Sequence, residues 1–256
     1  MSQDVSSVLA GWDFDPDEIQ VRLIKGDDGS EKIQMRVDLG LLQMELAGRP
    51  DGQRPHGFES LLEYYDARRK KAAAADQAFS LDQEACAKLM REGRQFYHRY
   101  LSAFHLRRYD LVVRDTERNL KLFAFVVKHA ARQRDKIEFD QYRPYVTMMQ
   151  TRALALQALA TSNFAAALER IDEGIKQIRR FLREYHQEEH EGKCAELGFL
   201  IGWRAEIDQD RPIGPLERLE QQLELAVALE DYEEAARLRD QIRQLGGKQI
   251  EQGRRS

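Results

Sequence analysis

The chain has 256 residues, a third of them charged, which suffices for one large domain or a medium one with small appendages. Lys and Arg number 40 against 44 Asp and Glu, a net charge of −4, so no global basic field points to nucleic acid. No apolar run approaches the roughly 20 residues that span a bilayer. The N-terminal MSQDVSSVLAGWDFD lacks the basic and apolar regions of a secretory signal, and Cys86 and Cys194 are far apart in no paired motif. A reducing, cytoplasmic location is the expectation.

The first 57 residues read as a small β-meander and a loop. IQVRLIK (19–25) and KIQMRVDL (32–39) alternate, with Ile19, Val21, Leu23, Ile33, Met35 and Val37 on one face. GDDGS between them supplies the positive φ angles of a hairpin loop. LLQMEL (41–46) adds a third strand, with Leu42, Met44 and Leu46 aligned, and the Gly/Pro-rich 48–57 is a loop. A three-stranded meander with one apolar face needs cover from the helices that follow or from another chain.

Residues 58–208 read as a helical-hairpin domain, giving a mainly α (α+β) chain. FESLLEYYDARRKKAAAADQAF is followed by Ser80-Leu81-Asp82-Gln83, whose spacing is that of a capping box opening a new helix. Leu89, Phe96, Tyr97, Tyr100, Leu101 and Phe104 then recur at three- and four-residue intervals. Further helices are expected from LVVRDTERNLKLFAFVVKHA, RPYVTMMQTRALALQALAT, FAAALERIDEGIKQIRRFLREYH and CAELGFLIGWRAEI. The breaks at HLRR and TSN are each followed by an aromatic, Tyr109 or Phe164. This loosely resembles tetratricopeptide helix–turn–helix units, although the two lie more than 50 residues apart, not 34, and Val113 stands where a small residue belongs.

QDRPIGP (209–215) reads as a linker, since two prolines and a glycine forbid a continuous helix. Beyond it, Leu216, Leu219, Leu223 and Ala226 fall at 3-4-3 spacing, and Ala235, Leu238, Ile242 and Leu245 repeat the pattern after a short turn near Glu230-Asp231. Two such stripes make an antiparallel, coiled-coil-like helical hairpin over 216–246, with 247–256 a disordered tail. Asp231, Glu233 and Glu234 suit the second helix's N-terminus and Arg243 its C-terminal turn. With the inner seam used, Leu225, Leu229, Tyr232 and Ala236 form a second apolar patch.

LEQQLELAVALEDYEEAARLRDQIRQL resembles the UVR motif, the UvrB–UvrC interaction hairpin of bacterial excision repair, also found in some Clp-family ATPases and in a protein-arginine-kinase activator. The residues that carry the resemblance are Tyr232, Ala235, Ala236, Leu238, Arg239, Asp240 and Ile242, with Tyr232 where the family more often has Phe. It covers about thirty residues, and implies protein–protein docking through Leu225, Leu229, Tyr232, Ala235, Ala236, Arg239 and Asp240. It is silent about the rest of the chain.

Two other signals need weighing. HQEEH (186–190) matches an inverted zinc-protease pattern, which on an α-helix puts His186 and His190 on one face with Glu189 as base and Cys194 nearby. The stretch is very polar, as exposed helix ends are, and only the linker and hairpin follow to supply a further ligand. No metal site and no cofactor are therefore expected. Residues 83–135 carry 12 Lys and Arg against 6 Asp and Glu, whereas 186–256 carry 10 against 16. Arg91, Arg94, Arg99, Arg107, Arg108, Arg114 and Arg118 interleave with aromatics and could serve phosphate contacts and stacking. The plainer reading puts them on the solvent side of helices whose aromatics are core.

No phosphate loop, nucleophile elbow or paired-cysteine cluster is present, nor helicase or nuclease motifs. The expectation is a non-enzymatic adaptor or regulator with no catalytic residues. It would dock through the hairpin in excision repair or a Clp-type complex, without membrane contact. The alternatives are a nucleic-acid-binding accessory using 91–121, and a homo-oligomeric structural protein.

Overall fold

The computed structural model describes residues 4–212, 219, 222–223, 227, 232 and 236–243. The chain divides into two compact units, Met1–Ile207 and Asp208–Ser256. Among the described residues, no helix is long and apolar enough to cross a membrane. The architecture is mainly helical with one small N-terminal antiparallel sheet.

In the first unit, β1 (Val21–Lys25), β2 (Glu31–Val37) and β3 (Gly40–Glu45) form a meander in the order β1-β2-β3. The register aligns Val21 with Met35 and Leu42, and Leu23 with Ile33 and Met44. The alternating residues thus share one face. Ile33 and Met44 are buried and belong to the main core, where β2 packs on α3 (Gln83–His105).

The opposite face of the sheet is polar but not bare. Arg22 donates to the Gln34 side chain at 2.8 Å, and Gln34 donates to Gln43 at 2.9 Å. The Trp12 ring lies 3.9 Å from the Arg22 guanidinium, and Arg36 donates to the Trp12 carbonyl at 2.9 Å while facing Phe14. The segment before the sheet, with a short helical turn α1 (Ser6–Leu9), is therefore a strap held by cation–π contacts. Strand alternation alone gives no hint of it.

α2 (Leu61–Ala74) opens on a capping bond the sequence reading did not use: Ser60 Oγ accepts from the Glu63 N–H at 3.2 Å. At α3 the expected Ser80 cap is corrected. Asp82 is the cap, accepting from the Ala85 N–H at 2.8 Å. Leu81 is drawn instead into a bridge with Ala130, in which the Leu81 N–H donates to His129 at 2.8 Å and its carbonyl accepts from Ala131.

α3 and α4 (Tyr109–His129) form one hairpin, and α6 (Arg143–Ala160) and α7 (Phe164–Glu184) another, with α4 also packed on α6. Between the hairpins lies α5 (Gln133–Asp140), which sequence periodicity missed. Only Phe139, Asp135 and Asp140 of its eight residues are buried, and Ile137 is exposed, so it has no apolar stripe to read.

Both hairpin turns use one device. Arg107 (φ 57°) and Ser162 (φ 55°) are left-handed residues just past α3 and α6. Arg108 N–H donates to Ala103 and Arg107 N–H to Phe104. Asn163 donates to Ala158 and Ser162 to Leu159 in the same pattern. α2 and α7 end identically, at Asp76 and His186. These are Schellman closures without the usual glycine, satisfying carbonyls that the helix end leaves orphaned.

α8 (Ala195–Asp210) follows and runs two residues into the stretch read as linker, stopping before Arg211-Pro212. HQEEH is not an α-helix. α7 ends at Glu184, His186 is left-handed, and Glu188–Lys193 is a 3-10 turn. The one-face geometry assumed for His186 and His190 does not form. Among the described residues no group of three or more His, Cys, Asp or Glu is placed to hold a metal ion.

Candidate docking site

The hairpin region builds from its described residues. Leu219, Gln222, Leu223 and Val227 are helical, as are Tyr232 and 236–243. Leu238 is 4% exposed and packs against Leu219 and Leu223, so helical residues on either side of Tyr232 meet through an apolar contact. These three leucines belong to the two stripes drawn from the 3-4 spacing.

Outside that seam, Tyr232 is 69% and Val227 52% exposed, and Ala236, Arg239 and Asp240 are helical and exposed. Of the residues expected to contact a partner, Leu225, Leu229 and Ala235 lie outside the described residues, as do 213–215 of the linker and the tail 247–256. An aromatic ring and a β-branched side chain left in water are what a docking surface holds in reserve.

The arginines of the middle helices go elsewhere. Arg99 and Asp115, each with a 1% exposed side chain, form a two-pronged pair at 2.6 and 2.9 Å. Arg99 also donates to the carbonyls of Glu45 and Gly48 at 2.8 and 2.9 Å, which ties the end of the sheet to the helices. Glu92, fully buried, accepts from the Leu61 N–H at 2.7 Å and from Leu62, capping α2, and it pairs with Arg118 and, at 3.5 Å, with Arg49. The Phe96 ring meets both guanidiniums, with its centroid 4.9 Å from Arg99 and 4.1 Å from Arg118. Burial pulls Arg118 down to about 10, and its charge persists at neutral pH because Glu92 and Asp115 lie beside it.

The plainer reading of these arginines, that they line the solvent side of their helices, fails for Arg99, whose side chain is 1% exposed, whereas Arg118 is partly exposed and turned onto Glu92. The phosphate-contact reading loses Arg99 as well, since an interior guanidinium cannot reach a nucleic acid. Arg114 pairs with Asp115 at 2.9 Å and Arg108 with Asp110 at 3.5 Å. Arg91, Arg94 and Arg107 are exposed. The interior clasp was nevertheless written in the spacing. On α3, Leu89, Glu92, Phe96, Arg99 and Ala103 follow 3-4-3-4 steps, and on α4, Val112, Asp115, Asn119, Leu122 and Val126 do the same. The polar members sit on the core stripe and satisfy one another across it, Asn119 donating to the Gly93 carbonyl at 3.0 Å.

Comparison with known proteins agrees with the hairpin. Residues 215–248 match the family described as the UvrB/uvrC motif, UVR. No curated protein and no solved structure matches the chain. The chain thus carries a UVR motif at 215–248, a class of helical element that suggests protein–protein interaction.

Proposed function

We propose that this chain is a non-enzymatic adaptor whose C-terminal UVR hairpin docks onto a partner bearing a matching hairpin, in excision repair or in a Clp-type complex. One observation carries the reading: Tyr232 stands 69% exposed while Leu238, six residues on, is 4% exposed in the seam with Leu219 and Leu223. A hairpin that served only its own packing would turn its largest apolar side chain inward. Thirty residues bury too little apolar area to offset an ordering cost of about 1–2 kcal/mol per residue, so a partner surface on Tyr232 and Val227 also stabilises the hairpin itself.

The test is isothermal titration of the full chain with the purified hairpins of UvrB and of a Clp-type ATPase, alongside light scattering of the chain alone. Binding to one hairpin, weakened at least tenfold by Tyr232→Asp, supports docking in trans, because the substitution puts a charge into a contact that must desolvate. A dimer that Tyr232→Asp dissociates, with no affinity for either hairpin, makes the partner a second copy. A monomer that binds neither overturns the reading.

A further inference from the structure

A second feature, independent of the hairpin, lies within the Met1–Ile207 unit. α3 and α6 flank α4, and between them opens a cavity of about 510 Å³, in the size range of small-molecule sites. Its walls are aromatic: Tyr97 and Tyr100 from α3, Phe123 from α4, Phe139 from α5, and Tyr142 and Tyr145 around the start of α6. The Tyr97 ring stands edge-on to Tyr100 at 5.5 Å and tilted against Tyr145 at 6.2 Å. Flat π faces on several sides select a flat guest, because aromatic pairs gain from offset and edge-to-face contact beyond the area they bury.

The polar groups narrow the guest further. Tyr100 is 1% exposed and lines the cavity, yet its hydroxyl makes no hydrogen bond to any described residue. The hydroxyl is not among the buried polar atoms left without a partner, so it reaches the solvent of the cavity and can exchange a water for an acceptor on a guest. The phenols are neutral donors at any physiological pH: burial and the neighbouring Tyr97 push Tyr145 up to about 12, and burial raises Tyr100 still further. His98, on the same lining, is held neutral by burial. Formal charge on the walls is one cation, Arg94, and one carboxylate, Glu196. That balance does not suit a phosphate or other polyanion, which needs several converging cations.

We infer that this cavity binds an uncharged, flat heteroaromatic small molecule whose ring acceptor takes the hydrogen bond that the Tyr100 hydroxyl gives to no described residue. The α3–α4–α6 array is then a ligand receptor as well as the body that carries the hairpin.

The probe is isoquinoline, neutral at pH 7.5 with one ring-nitrogen acceptor, titrated into the full chain and followed by saturation-transfer NMR. Naphthalene, the same outline without the acceptor, is the control. The expected result is one saturable isoquinoline site per chain, about tenfold tighter than naphthalene, the factor one good hydrogen bond supplies. Met90→Trp, which extends a half-buried wall residue into the space, should abolish binding. Tyr100→Phe should make the two probes equal while leaving the urea midpoint of the ligand-free chain unchanged or higher. A purely structural hydroxyl would instead lower that midpoint. Absence of saturable isoquinoline binding overturns the inference. So does an affinity indifferent to Met90→Trp, or a tenfold preference that survives in Tyr100→Phe.

Discussion

Arg99 on α3 and Asp115 on α4 hold each other by two hydrogen bonds, both side chains being 1% exposed. The same guanidinium reaches the backbone of Glu45 and Gly48. One side chain thus connects a helix pair to the end of a sheet some fifty residues earlier. Removing either charge strands the other in the interior. Asp115→Ala is expected to cost about 3–5 kcal/mol in urea unfolding of the full chain. The pair Arg99→Met with Asp115→Leu should cost less than the sum of its parts, because no lone charge remains. A double variant as unstable as that sum would deny the coupling.

The left-handed turns make a prediction of opposite sign. Arg107 and Ser162 hold φ near +55°, where a Cβ is disfavoured and glycine is not. Arg107→Gly and Ser162→Gly should each stabilise the chain by about 0.5–1 kcal/mol, additively, since the two turns lie in different hairpins. Thermal midpoints of the two single variants and the double variant provide the check.

Close approach of α6 and α7 depends on Gly174. A Cβ there would collide with Thr151, whose own Cβ would stand only 2.9 Å away. Gly174→Ala should therefore destabilise by about 1–3 kcal/mol even though alanine is the better helix former. Gly174→Ala with Thr151→Ala should recover part of that loss. A neutral single variant would mean that the helices can separate without cost.

Acid should weaken the fold before its carboxylates titrate. Burial holds both His98 and His129 below the ordinary imidazole value. Near pH 6.5 the unfolded chain takes up protons that the native chain refuses, so stability that is full above that pH is lost as pH falls through it. The urea midpoint should be lower at pH 5.5 than at 7.5, and the drop should shrink in His98→Gln. Equal drops in both proteins would take His98 out of the linkage.

What could be read beforehand depended on whether each signal was periodic and local. The strand alternation around Ile33 and Met44 shows its buried face directly, and the turns before Tyr109 and Phe164 fall where the helical stripes break. The hairpin's leucines, at 3-4 spacing, predict the contact of Leu238 with Leu219 and Leu223. α5 was invisible because an eight-residue helix with an exposed Ile137 has no face to repeat. The Trp12 strap was invisible because a cation–π contact ten residues away in sequence leaves no period. The interior arginines were a failure of a different kind. Arg99 and Glu92 lie on the apolar stripe of α3, and reading charge as surface concealed them. Their partners Asp115 and Arg118, 16 and 26 residues on, become evident only when α4 is aligned beside α3. The Tyr100 hydroxyl belongs to the same class, since facing a cavity and not a protein acceptor is a property of surroundings and not of spacing.

The clasp also has a temporal side. A ribosome releases β1 to β3 well before it has polymerised Arg99, and Asp115 emerges later still, about 70 residues after Glu45. At about 5–20 residues per second, the newborn sheet waits several seconds with Ile33 and Met44 uncovered. During that interval the Trp12 strap can already cover the polar face, whereas α3, which packs on β2, is complete only at His105. A stalled or truncated nascent chain ending before Gln83 would therefore expose a short, sticky three-stranded sheet, and such fragments are natural clients for chaperones and proteases.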